Sequence, residues 1–269
     1  MYRNLLIFVF LLAFSAGAFS SVTVLYPVET SVESGSSIEI GSVAPGQTFV
    51  VSFSDNSGFQ SFEWDSLTID DSSFPEGWRI ESIESNDTSL VATFYVPANV
   101  QSNIYRINFM FSNRNEPNIK ETFTALVVVK ESLFDVSFSK KSEANDFVVG
   151  EKAVYSVLIR NNSIADQRFR ISSTLPTNWF SEQTISLKPN TSQEIVLEVE
   201  PMVYGVTDFS FNAVLPETGV TIKSFRGSLN VKPTLKGKFS AGFSGFPFFT
   251  FSLLPYQLLN SFLGLVLPK

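Results

Sequence analysis

The chain has 269 residues, 44% of them hydrophobic and 17% charged, with a net charge of −7 and neither cysteine nor histidine. That composition argues against a disordered chain and suits one large or two ordinary domains. Without cysteine there are no disulfides, thiolate nucleophiles or zinc–thiolate sites, and without histidine there is no Ser-His-Asp or Cys-His machinery and no imidazole metal ligand. Nucleic acid is a disfavoured partner, because a phosphate backbone calls for a basic patch. Lys140-Lys141 is the only adjacent basic pair and reads as a solvated face.

Residues 1–20 read as a secretory signal. Arg3 supplies the positive start, Leu5 to Phe14 an unbroken apolar run, and Ala16-Gly17-Ala18 a small-x-small cleavage site, with Ala18-Phe19-Ser20 as a second choice. The run is shorter than the ~20 residues that span a bilayer. An uncleaved anchor is the rival reading, ahead of a buried first element.

Downstream of the signal the hydrophobic pattern has period two, which marks half-buried strands. Tyr105, Ile107, Phe109 and Phe111 form one inward row, and Phe123, Ala125, Val127 and Val129 the next. Tyr155, Val157 and Ile159, then Ile195, Leu197 and Val199, then Phe209 and Phe211 continue it. Turn clusters separate the runs: Ala44-Pro45-Gly46, Asn56-Ser57-Gly58, Pro75-Glu76-Gly77, Arg160-Asn161-Asn162-Ser163, Lys188-Pro189-Asn190 and Pro216-Glu217-Thr218-Gly219. No helical stripe precedes residue 243.

The pattern occurs twice. Phe74-Pro75-Glu76-Gly77-Trp78 returns as Leu175-Pro176-Thr177-Asn178-Trp179, a shift of 179 − 78 = 101. Thr88-Ser89-Leu90 returns as Thr191-Ser192-Gln193 (191 − 88 = 103) and Pro97 as Pro201 (201 − 97 = 104). This near-constant spacing predicts an all-β chain of two tandem immunoglobulin-like β-sandwiches, residues 21–131 and 132–233. The boundary at Lys130-Glu131-Ser132 is short, which predicts a stiff pair of modules.

The second module resembles the immunoglobulin-like repeats of prokaryotic cell-surface and membrane proteins, of the type associated with NPCBM modules. The resemblance is carried by Gly150-Glu151-Lys152, by Tyr155 through Asn161, by Leu175-Pro176-Thr177-Asn178-Trp179 and by Ser186 through Ser192. The first module reads as a diverged copy. The resemblance implies a scaffold for spacing or adhesion, with no set of catalytic residues.

The candidate chemistry is sparse. Trp78 and Trp179, at one spacing in both copies, read as plugs of the sandwich after a Pro turn rather than as sugar platforms. Trp64 has no counterpart and is the freer candidate for a contact. Asp70-Asp71 and Glu63 with Asp65 could serve calcium or acid–base work, but no EF-hand spacing surrounds them and they read as solvated loop acids. No metal, cofactor or catalytic residue is therefore assigned. Asn86, Asn161 and Asn190 begin N-glycosylation motifs and are expected to lie exposed at turns.

Residues 234–269 form a hydrophobic tail. Phe243 to Leu267 contains no charge, behind Lys232, Lys236 and Lys238. Membrane contact is expected from Phe246, Phe248, Phe249, Phe251, Leu253, Leu254, Tyr256, Leu258, Leu259, Phe262 and Leu263. Pro247 and Pro255 would kink a helix, so a span, an interfacial segment and packing on a partner all stay open.

The leading expectation is a non-catalytic, membrane-attached surface scaffold whose partners are membrane lipid and a protein at the cell surface. The alternatives are an extracellular subunit of a membrane complex, a carbohydrate-binding accessory module whose partner is a glycan, and a carboxylate-only hydrolase.

Overall fold

The computed structural model describes residues 21–56, 63–70, 72, 74–143 and 146–233. The signal-like segment 1–20 and the tail 234–269, with every residue of the expected membrane contact, lie outside the described residues. No helix occurs among the described residues; the chain is strands joined by turns. The described residues divide into two compact units, one of 21–133 with Ser163–Asp166, the other of Phe134–Asn162 with 167–233.

The first unit contains β1 (Ser21–Tyr26), β2 (Thr30–Glu33), β3 (Ser37–Val43), β4 (Thr48–Ser54), β5 (Ser66–Ile69), β6 (Arg79–Asn86), β7 (Ser89–Tyr95), β8 (Ile104–Ser112) and β9 (Lys120–Val129). They form two facing sheets, ordered β2-β1-β4-β7-β6 and β3-β9-β8-β5. All neighbours are antiparallel except β3 and β9. The predicted rows face inward: Ile107, Phe109 and Phe111 pair in register with Ala125, Phe123 and Glu121, and all but Glu121 are buried. Phe53, from the opposite sheet, meets Phe109, Phe111 and Phe123 edge-on at 4.9, 5.0 and 5.8 Å. Such edge-to-face contacts suit the ring quadrupoles and add to the ~1.5–3 kcal/mol from burying each ring.

The second unit contains β10 (Phe134–Lys140), β11 (Asp146–Val148), β12 (Ala153–Asn161), β13 (Gln167–Ser173), β14 (Gln183–Leu187), β15 (Ser192–Val199), β16 (Gly205–Val214) and β17 (Thr221–Lys232). Its sheets are ordered β10-β12-β15 and β11-β17-β16-β13-β14. Again one pair, β11 with β17, is parallel. Tyr155 on β12 packs edge-on against Phe209 and Phe211 of the facing sheet at 5.6 and 5.4 Å. Burial raises the Tyr155 pKa above the usual phenol range, because a buried phenolate would lose its hydration. Both units are immunoglobulin-like β-sandwiches.

The repeat markers hold locally. The Trp78 N–H donates to the Pro75 carbonyl (3.2 Å), and the Trp179 N–H to that of Pro176 (2.9 Å), so both Pro-x-x-Trp segments close the same bond. The turns differ in conformation, with Gly77 at φ 81 and its counterpart Asn178 outside the positive region, where the Phe180 N–H also reaches the Pro176 carbonyl at 3.2 Å. The proline marker is displaced by one residue. Gly46 donates to the Val96 carbonyl, whereas Gly150 donates to that of Pro201, so Pro201 stands where Val96 does and not where Pro97 does.

Candidate functional site

The structure places the residues singled out above as follows. Trp78 and Trp179 are buried, 5% and 7% exposed. Trp78 meets Phe49 edge-on and lies 5.2 Å from the Tyr105 ring. Trp64 corrects the expectation of a free contact. It is 1% exposed, the largest fully buried side chain described, with its ring 6.2 Å from Phe111.

The acidic candidates serve the loops that carry them. Asp65 accepts the backbone N–H of Arg114 (2.9 Å), pinning the loop after β8. The Asp70 carboxylate accepts the Ser72 N–H and hydroxyl, an Asx-type turn. Among the described residues no group of acidic side chains is arranged to hold a metal ion. Asp71 lies outside the described residues.

The three glycosylation motifs separate. Asn86, at the end of β6, and Asn190, at positive φ in the turn before β15, are exposed. Asn161 corrects the expectation: it is fully buried, the last residue of β12. Its Nδ2 donates to the carbonyls of Leu187 (3.4 Å) and Lys188 (3.2 Å), tying β12 to the end of β14. An amide enclosed in this way cannot serve as a glycan acceptor in the folded module. One sequence signal was present: Tyr155, Val157, Ile159 and Asn161 share one inward row of the strand.

What the sequence reading missed is an open strand edge in the second module. β15 pairs only with β12 among the described strands. The Asn161 N–H donates to the Thr191 carbonyl, so odd-numbered residues here turn their backbone groups toward β12. Even-numbered Ser192, Glu194, Val196 and Glu198 turn theirs to the open side. Two bonds on that side agree with this phase. Gln183 Nε2 donates to the Val196 carbonyl at 3.4 Å, and the Glu200 N–H donates to the Trp179 carbonyl at 2.9 Å.

Beside this edge runs a cleft of about 370 Å³, lined by Trp179, Phe180, Gln183, Val196, Glu198 and Glu200 among others. The outward row of the sheet carries two exposed apolar side chains, Val196 (52%) and Leu158 (47%). Lys141 pairs with Glu194 at 2.8 Å and Lys152 with Glu198 at 2.6 Å. The Lys141 ammonium, followed by the Ser156 hydroxyl, holds the Glu194 carboxyl below its ordinary range, and Glu198 raises the Lys152 pKa. Elsewhere Lys232 and Asn230 lower the Asp146 carboxyl.

No family model matches the chain, and no curated protein matches it. Among solved structures, it is similar to a chimeric titin Z1Z2 functionalized with a decorin peptide, at 17% identity over 81% of this chain and 99% of that one, TM-score 0.40. It is similar to the D00–D0 domain of intimin, at 15% identity over 78% and 96% of the two chains, TM-score 0.27. It is also similar to a CARDB domain from Pyrococcus furiosus in complex with di-metal ions, at 17% identity over 38% and 90%, TM-score 0.28. Likenesses this low carry nothing about function, and the immunoglobulin-like assignment rests on the strand pairing described above.

Proposed function

We propose that the chain is a non-catalytic, exported scaffold that presents two immunoglobulin-like modules outside a membrane, attached through its tail, and works by binding a protein partner. The observation that carries this reading is the order of parts: a signal-like segment, two β-sandwich modules, then 25 residues, Phe243 to Leu267, without a charge. That much apolar surface in water would drive aggregation, so lipid or protein must cover it. A non-catalytic role is supported by the residue inventory, which lacks histidine and cysteine, and by the use of Asp65 and Asp70 as loop pins. Export also suits the exposed Asn86 and Asn190 as glycan acceptors, and glycans there would shield strand ends from other chains.

The test is fractionation of the native protein. The full chain is expected to stay with membranes through a high-salt wash, since apolar burial is not screened by salt. External protease should reach both modules on intact cells. A chain ending after Pro233 is expected to stay in solution and folded. That end point preserves Lys232, which closes β17 on Asp146 at 2.7 Å. Release by salt alone, or modules shielded from external protease, would overturn the reading.

A further inference from the structure

We propose that the open edge of β15 is a strand-addition site for an extended segment of a partner protein that carries cationic residues two positions to either side of an apolar one. The argument starts from the first module. There β7, the strand equivalent to β15, is paired on both sides, with β4 and with β6. β6 is the strand that directly follows the Trp78 turn. In the second module the strand after the Trp179 turn, β14, instead pairs with β13 in the other sheet. The place beside β15 is thereby left as the cleft over Trp179 and Phe180.

An eight-residue strand with outward-turned N–H and C=O groups is a template for pairing, and an added strand would replace the 3.4 Å side-chain bond from Gln183 on the Val196 carbonyl. Strand addition gains affinity from the ladder and specificity from alternate side chains. On β15 the alternate side chains are Glu194, Val196 and Glu198. Lys141 and Lys152 already pair with Glu194 and Glu198, and Lys152 lines the cleft together with Glu198 and Glu200, so three carboxylates against two ammonium groups leave the edge net negative toward an incoming strand. Cations on the added strand would complement that charge, and an apolar side chain would extend the Val196–Leu158 patch.

The same charges argue against a second copy as the occupant. An antiparallel β15–β15 pair centred on Val196 would set Glu194 against Glu198 of the other copy, and like charges directly opposite are destabilising. The edge belongs to the module alone and does not depend on membrane attachment, so this inference and the proposed function fail separately.

The test uses the full chain in detergent micelles and the capped peptide Thr-Lys-Thr-Val-Thr-Lys-Thr, followed by hydrogen exchange of the fragment holding residues 192–199. The peptide is expected to slow exchange in that fragment, and added salt to weaken the effect. Val196→Pro removes an N–H that faces the open side and spares the bonds to β12, so the module should keep its melting temperature. Peptide affinity should fall by roughly tenfold or more, because the edge ladder supplies it. Glu198→Lys should turn the preference toward the peptide with Glu in place of Lys. No slowing at millimolar peptide, equal binding by Val196→Pro, or equal binding of the Lys and Glu peptides would overturn the proposal. So would salt-independent self-association through β15 that Val196→Pro abolishes, which would make a second copy the occupant.

Discussion

The two modules share a Pro-x-x-Trp turn and part company immediately after it. In the first, Arg79 follows Trp78 directly and β6 stays with β7, covering the β7 edge and becoming the last strand of the sheet itself. In the second, three residues intervene before Gln183, and β14 crosses to β13. What holds each strand in place differs accordingly. β6 is mostly exposed, joins β7 through a register shift between Ile80 and Ser82, and packs Ile80 only partly against the core. β14 ends on Leu187, which is 3% exposed and stands opposite Gln167 in register, with Asn161 bonded to its carbonyl. The same Pro-x-x-Trp bond thus precedes two different sheet partners, and the second module differs both in the turn itself, where Asn178 lacks the positive φ of Gly77, and in the apolar anchor and buried amide downstream of it.

The largest expected effect breaks the equivalence of the modules at their tryptophans. Trp64→Ala, at a position with no counterpart, should destabilise the first module by about 4 kcal/mol, and Trp179→Ala the second by about 3 kcal/mol, as for other buried aromatics. Chemical denaturation followed by circular dichroism measures both. Wild-type midpoints would return Trp64 or Trp179 to the class of exposed contact residues.

A smaller effect separates the two post-turn strands. Leu187→Ala should cost about 3 kcal/mol and speed amide exchange in β14, since a buried leucine is lost. Ile80→Ala in β6 should cost about 1 kcal/mol because that side chain is only partly buried. Equal costs would show that both strands are held by the backbone ladder alone.

Asn161→Ala should cost about 2 kcal/mol by leaving the Leu187 and Lys188 carbonyls without their donor. Intact-mass measurement of the native protein should show glycan lost with Asn86→Gln or Asn190→Gln and unchanged with Asn161→Gln. Glycan carried on Asn161 would mean that the module is modified before it closes.

The smallest expected effect is titration of the second module. Glu194 and Asp146 have pKa values depressed in the folded state by Lys141 and Lys232, so their stabilisation is present above the ordinary carboxylate range and lost as pH falls through the folded values. Lys152 is raised by Glu198, so its contribution is present below the ordinary lysine range and lost as pH rises through the folded value. Melting temperature should therefore sag slightly at both extremes, and Lys141→Met should flatten the acid limb. All these pairs are exposed to solvent, and added salt should shrink the effect.

These contrasts mark what was legible in the chain itself. The strands, their inward rows and the repeated tryptophan turn could be read from period-two alternation and Pro/Gly punctuation, because both signals are local: side chains alternate faces, and Pro and Gly fix backbone angles within a few residues. The burial of Asn161 was present in the same alternation but hidden behind its sequon. The burial of Trp64 was not, since it precedes the short β5 and lies outside any alternating row. Only the tertiary structure decided which edge each post-turn strand would join and left β15 open. Strand pairing joins residues far apart in sequence, and its outcome depends on which facing surface completes the core, a quantity that no local pattern contains.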